Sequence, residues 1–293
     1  MPTIRRAQLS GAWYPEREAD ILSLLDGWEP YFKEKTPPPA PRGGEAERVL
    51  AVVPHAGWIY SGKLAALVFR TAGKLFGGRP PELIVVLGGH LPEGFPAVAY
   101  GEDLWETPLS PLRLAPELNE RLAGAKGVPP LRLWRGGTDD NTVEVELPLL
   151  KRYFPESPVL ALRVSPDPGA AELGRALLSL AGEKRTLFAA STDLTHYGPP
   201  YGFAPAGKGR AGTEFREKND RAFIQAVLAA DVRGVLELAA EKRAACCGGA
   251  VAAVAAIARE TGAEPALLDY YASSDVSGDD SVSVGYAGMI FCG

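Results

Sequence analysis

RVLAVVPHAGWIYSGKLAALVFRTAGKLF, residues 48–76, decides the fold. Its first seven residues form an almost continuous apolar run of strand length, and Pro54, His55 and Gly57 interrupt it. From Lys63 onward the apolar residues recur at helical spacing. A strand that is apolar on both faces and leads through a turn into a helix belongs to a parallel sheet covered on both sides. PELIVVLGGH (81–90) repeats the design, and SPVLALRVS (157–165) and RTLFAASTD (185–193) supply two further strands, each followed by helix-compatible sequence. The predicted class is α/β, with a central, mostly parallel mixed sheet flanked by helices.

The rest of the chain reads outward from these units. SGAWYPEREADILSLLDGWEPYF (10–32) predicts a turn and then a helix with Ile21, Leu24, Leu25 and Trp28 on one face. TPPPAPRGG (36–44) excludes helix and central strand and reads as a surface linker. TEFREKNDRAFIQAVLAAD (213–231) and GAVAAVAAIARETG (249–262) have helical composition, while ALLDYYASSD and SVSVGYAGMIF, around a Gly-Asp turn, resemble a hairpin. YGPPYGFAPAGKGRAG (197–212) is long for a structureless connection, and loops of that length act as lids or binding segments.

Bulk properties narrow the function. The chain has 293 residues, room for one large domain or two close-packed ones. A net charge of −5, with no long lysine and arginine block, argues against a nucleic-acid partner. No apolar run approaches the roughly 18 residues of a membrane span, and the first residues lack a signal-peptide core. The expectation is a cytoplasmic protein without a membrane partner. Three cysteines, two of them adjacent, make no secreted disulfide framework.

All three histidines follow predicted strands: His55 after VLAVVP, His90 after LIVVLGG and His196 after LFAASTDLT. In an open α/β sheet, ligands collect beyond the carboxyl ends of the strands. One histidine in a turn is ordinary, but three on one sheet edge point to a site, and neutral imidazole is the commonest metal ligand. Two histidines need a third, anionic ligand, for which Asp193, Glu144 and the Cys246–Cys247 pair are the candidates. STDLTHYG places Asp193 three residues before His196, where it either orients the imidazole or caps the following turn. Cys247 precedes Gly-Gly and an Ala-rich helix whose N-terminus favours a thiolate. Cys246 and Cys292 are read as small buried hydrophobes. The acidic turn 273–281 lacks EF-hand spacing, and neither nucleotide-binding glycine motifs nor a G-x-S-x-G elbow is present.

These residues carry a resemblance. PHAGWIYSG resembles the PHAG(Y/F)xYSG signature of the Memo-like family, also known as AmmeMemoRadiSam system protein B, which is related to class III extradiol dioxygenases. SGAWYP is similar to the family's AGxFYP, VVLGGH to LGPxH, TDDNTVEVELPLL to DEHSxEvqlPfL, STDLTHYG to S-D-(L/M)-x-H-(Y/W)-G, CCGG to a C-G element, and YYASSDVSGDDSVSVGYAG to YxxSxdxxGdxxxVVGYA. The resemblance spans nearly the whole chain. It implies one Memo-like domain over residues 1–293 with a class III extradiol dioxygenase-like fold.

The resemblance further implies a mononuclear metal pocket with His55, His90 and Cys247 as ligands. His196 is then the acid/base group, and Asp193 and Glu144 line the pocket. Trp58, Tyr60, Asn141 and Tyr197 are the expected substrate-binding residues. Two departures stand out: the histidine of the DEHS element is Asn141, and the proline and polar residue before the second histidine are Gly88 and Gly89. A His, His, Cys set is softer than a two-histidine, one-carboxylate triad, which shifts preference towards Cu(I), Zn(II) or a more covalently bound iron. The expected cofactor is one transition-metal ion, iron or copper ahead of zinc. The expected function is a metal-dependent oxidoreductase, with a non-enzymatic peptide-binding or adaptor protein using the same pocket as the alternative. The family resemblance also associates the chain with AMMECR1-type and radical SAM partners.

Overall fold

The structure, a computed structural model, describes residues 1–36, 38, 44–125, 127–135 and 140–293. The expected linker 36–44 falls largely outside the described residues. In chain order the strands are β1 (Ile4–Arg5), β2 (Arg48–Val53), β3 (Leu83–Gly88), β4 (Ala97–Tyr100), β5 (Leu104–Trp105) and β6 (Leu112–Arg113). They continue with β7 (Leu131–Trp134), β8 (Val159–Arg163), β9 (Thr186–Ser191), β10 (His196–Tyr197), β11 (Glu264–Ala272) and β12 (Ser283–Cys292). The main sheet runs β12-β2-β9-β3-β8-β4-β7, with β11 and β10 also paired to β12.

The four central strands β2, β9, β3 and β8 are parallel, as the apolar runs predict, and antiparallel pairs on either side make the sheet mixed. Alternate residues of each central strand serve two cores. Val49, Ala51, Val53, Ile84, Val86, Leu187 and Ala189 face the helix Trp58–Leu75 and its neighbours. Leu50, Val52, Val85, Leu87, Phe188 and Ala190 face the other layer, which holds the helices Gly169–Ala181, Arg210–Leu228 and Gly248–Thr261. The last of these is buried at every position from Gly248 to Ala258, so its Ala-rich sequence is a packing requirement: small side chains let it lie close to its neighbours.

The expected hairpin is present as β11 and β12, antiparallel from Glu264↔Cys292 to Ala272↔Gly285, with a short helix Ser273–Ser277 in the connection. The expected N-terminal helix is split into Glu18–Gly27 and Glu29–Glu34 around Trp28. Ile21 and Leu25, four residues apart on one face, are buried, whereas Leu24 is exposed. The stretch 197–212 is not a structureless loop: it contains the end of β10, the 3-10 turn Pro199–Tyr201 and the start of the helix Arg210–Leu228. Tyr197, Phe203 and Phe215 pack their rings together there, and the Tyr197 hydroxyl donates to Gly207 O at 2.7 Å.

Candidate metal centre

The parallel strands deliver the site. β2 ends at Val53, β9 at Ser191 and β3 at Gly88, and their registers bring His55, Asp193 and His90 to one edge. The cysteine loop joins them from the N-terminus of the helix Gly248–Thr261, where Cys247 is the cap residue. Backbone bonds lock this loop to the segment after β9: Cys246 N–H donates to Asp193 O at 3.2 Å, and Cys247 N–H to Thr192 Oγ1 at 3.1 Å.

His55 is fully enclosed and held at three points. Its N–H donates to Asp193 Oδ1 at 2.8 Å, its Nδ1 lies 2.9 Å from Ser191 Oγ, and its Nε2 lies 3.2 Å from Cys246 Sγ. The Ser191 hydroxyl donates to Glu146 Oε1 at 3.3 Å, so it accepts from His55 Nδ1–H and leaves Nε2 as the nitrogen that faces the thiols. His90 has a φ of 57°, in the left-handed region that non-glycine residues rarely occupy. Its Nδ1 faces Asp140 Oδ2 at 3.5 Å, and Arg163 braces the turn by donating to Gly89 O, to His90 O and to Asp140.

One nitrogen of each histidine and the sulfurs of Cys246 and Cys247 all lie within 4.8 Å of one another. Electrostatics bind the four together. Burial disfavours a charged His55 ring, but the Cys246 thiolate, Asp193 and Glu146 outweigh it and push its pKa up to about 10. Burial likewise opposes charge on His90, which Asp140 and Cys246 raise to about 9. Burial pushes the Cys246 thiol up, yet the Cys247 S–H, His55 and His90 together hold it well below its ordinary value. Burial pushes Glu146 up to about 8 despite the pull of His55 and Ser191.

A cavity of about 350 Å³ opens onto the cluster, lined by His55, His90, Asn141, Asp193 and His196 and walled by Trp13, Tyr60, Tyr201 and Tyr286. His196 Nδ1 lies 3.0 Å from Leu194 O; a carbonyl only accepts, so Nδ1 carries the proton and Nε2 the lone pair. Its ring meets Tyr201 edge-on, with centroids 5.0 Å apart.

The structure therefore brings His55, His90, Cys247, Asp193, His196, Tyr60 and Asn141 together, Asn141 donating from Nδ2 to His55 O at 3.0 Å. It corrects four readings. Glu144 Oε1 accepts from Gln8 N, Leu9 N and the Tyr14 hydroxyl, so it anchors the N-terminal segment and does not line the pocket. Trp58 is 2% exposed, donates from Nε1 to Val145 O and packs on Tyr14 and Trp28, which makes it core. Tyr197 is buried in its own aromatic group. Cys246 is not an inert hydrophobe, because its sulfur faces His55. Asp193 grips the His55 backbone in place of the orienting bond to His196. Sequence reasoning missed Asp140, Glu146 as a group behind His55, Trp13, Tyr201 and Tyr286, although every one lies in or beside a quoted motif.

The match to known proteins is full-length. Residues 5–290 fit the family model described as Memo-like protein. The chain belongs to the Memo-like family. A MEMO1 family protein from Thermococcus onnurineus is 30% identical, covering 98% of this chain and 99% of its own. The MEMO1 family protein of Aquifex aeolicus is 31% identical over 98% of this chain and 99% of its own. A crystal structure of an uncharacterized protein from Escherichia coli K12 has the same fold at a TM-score of 0.51 and 16% identity, covering 83% of this chain and 98% of that one. Among the described residues, no helix of this Memo-like protein is long and apolar enough to cross a membrane.

Proposed function

We propose that this Memo-like protein holds one transition-metal ion, iron or copper ahead of zinc, between His55, His90 and the cysteine pair, and performs a redox reaction on a small organic ligand seated in the adjoining cavity. The observation that carries the proposal is convergence: two imidazoles and two thiols meet within 4.8 Å at the wall of a cavity that also contains His196. The donor set fits a metal of intermediate to soft character. A bound ion of this kind supplies Lewis acidity and, for iron or copper, electron transfer.

The chain's own residues do the remaining work. Ser191, with Glu146 behind it, keeps His55 in the tautomer that presents Nε2. Asp140 faces the other nitrogen of His90. His196 accepts or returns a proton at Nε2. Trp13, Tyr60, Tyr201 and Tyr286 exclude water and offer ring faces to an apolar or aromatic ligand.

Metal analysis after anaerobic expression, with oxygen consumption on a panel of catechols and thiols, tests the reading. Bound metal that disappears in His55→Ala, and turnover that disappears in His196→Ala with the metal retained, support it. A protein that takes up no iron, copper or zinc and turns over nothing overturns it. A second reading, a binding protein without turnover, draws on the exposed apolar surface at the pocket: Trp13 and Tyr60 are each 37% exposed and the neighbouring Ile59 79%. Partner capture that depends on this rim, with no turnover, favours that second reading.

A further inference from the structure

We infer that both Cys246 and Cys247 ligate the ion together with His55 and His90, giving a four-donor centre that narrows the ion of the proposed function to copper, held as Cu(I), with Zn(II) as its redox-inert competitor, and disfavours Fe(II). The inference rests on the reading that the cluster binds a metal.

Geometry is the first support. A tetrahedral ion with metal–sulfur bonds of about 2.3 Å and metal–nitrogen bonds of about 2.0–2.1 Å sets its ligand atoms roughly 3.3–3.8 Å apart. Cys246 Sγ and Cys247 Sγ are 3.6 Å apart, and Cys246 Sγ and His55 Nε2 are 3.2 Å apart. These two distances match edges of such a tetrahedron, and all four donor atoms lie within 4.8 Å of one another.

The second support is the glycine pair before His90. A Cβ on Gly89 would lie 2.6 Å from Cys247 Sγ, and one on Gly88 would strike Thr142 Oγ1, the hydroxyl that accepts from Gly89 N–H. The missing side chain at Gly89 leaves the room that the Cys247 sulfur occupies. The glycine pair on one loop and the cysteine pair on the other therefore meet at one sulfur atom.

Charge is the third support. Burial and the Cys246 sulfur push the Cys247 thiol up in the metal-free protein, and the N-terminal end of the 14-residue helix Gly248–Thr261 that it caps offsets part of this by favouring the thiolate that a bound cation would hold. Two thiolates and two neutral imidazoles neutralise a divalent ion within an enclosed site. Such an S₂N₂ set suits Zn(II) and Cu(I), whereas iron sites that activate oxygen keep open positions and a carboxylate. A ligand in the cavity must then add to a filled centre or displace one of its donors.

X-ray absorption on the full-length protein loaded with Zn(II), and separately with Cu(I), counts the sulfurs. The expected result is two sulfurs in the wild type and one in both Cys247→Ser and Gly89→Ala. Zn(II) affinity, measured by competition with a chelator, is expected to fall about tenfold or more in Cys247→Ser. The wild type is expected to retain Zn(II) in the presence of excess Fe(II). One sulfur in the wild type, or an unchanged count in Cys247→Ser, overturns the four-donor centre and leaves the metal reading standing. Failure of the folded wild type to take up either ion overturns both. Should Cys247→Ser not fold, the wild-type count together with Gly89→Ala decides.

Discussion

Ser191 bridges Glu146 and His55 by hydrogen bonds: its Oγ stands 2.9 Å from His55 Nδ1 and 3.3 Å from Glu146 Oε1. The serine thus couples a buried acid to a metal-facing imidazole without either touching the other. Partners of this kind are worth roughly 10–100-fold in metal affinity. Ser191→Ala is accordingly expected to lower Zn(II) affinity within that range, as measured by chelator competition, with the secondary structure intact. An unchanged affinity would mean that the cysteine loop alone positions the ring.

Glu144 and Glu146 separate two functions. Glu144 gathers three donors from the N-terminal segment, and its removal strands Gln8 N–H, Leu9 N–H and the Tyr14 hydroxyl. Since hydrogen bonds to charged groups contribute about 1.5–3 kcal/mol each and are not additive, Glu144→Ala is expected to cost about 3 kcal/mol or more. Urea unfolding of the metal-free protein measures it. Metal stoichiometry should be unaffected, and a variant of normal stability that loses its metal would return Glu144 to the site.

Legibility in the sequence followed the range of the interactions concerned. β2, β3, β8 and β9 announce themselves because burial on both faces leaves no polar alternation, and the histidines follow from where those strands stop. That both adjacent cysteines reach the histidines depends on the backbone dihedrals of a helix cap, which composition does not encode. The choice between Glu144 and Glu146 turns on a break between two short helices, Asn141–Glu144 and Leu147–Tyr153, that redirects side chains only two residues apart. Trp13 takes the place at the cavity expected for Trp58 because the N-terminal segment folds over the helix start: Trp58 N–H donates to Trp13 O at 2.8 Å.

Proton competition should give metal loading an unusual pH profile. With the His55 pKa near 10 and that of His90 near 9, both rings carry protons at neutral pH in the metal-free protein. Each proton must leave before its nitrogen can bind a metal, and the Cys247 thiol, which burial and the Cys246 sulfur hold well above its ordinary value, must lose its own, so apparent affinity rises with pH through 7 and is still rising at about pH 9–10. An ordinary histidine site levels near about pH 6.5. Zn(II) affinity across buffers of increasing pH, with proton release followed by calorimetry, checks the sign; a plateau already at neutral pH contradicts the paired thiolate and imidazolium.

The two tryptophans that bracket the site give the last separation. Trp58 is buried, packs on Tyr14 and Trp28 and fills the space beneath the N-terminal segment, so Trp58→Ala opens a cavity and is expected to cost about 3–5 kcal/mol in urea unfolding. Trp13 is 37% exposed at the cavity wall, and its structural contribution runs through its backbone carbonyl, which any residue supplies. Trp13→Ala should therefore leave stability nearly unchanged while weakening any aromatic ligand that stacks in the cavity. Binding of a catechol or phenol, followed by tryptophan fluorescence or calorimetry, measures that loss. If Trp58→Ala weakens the ligand in a stably folded protein while Trp13→Ala does not, the assignment of cavity wall and core is reversed.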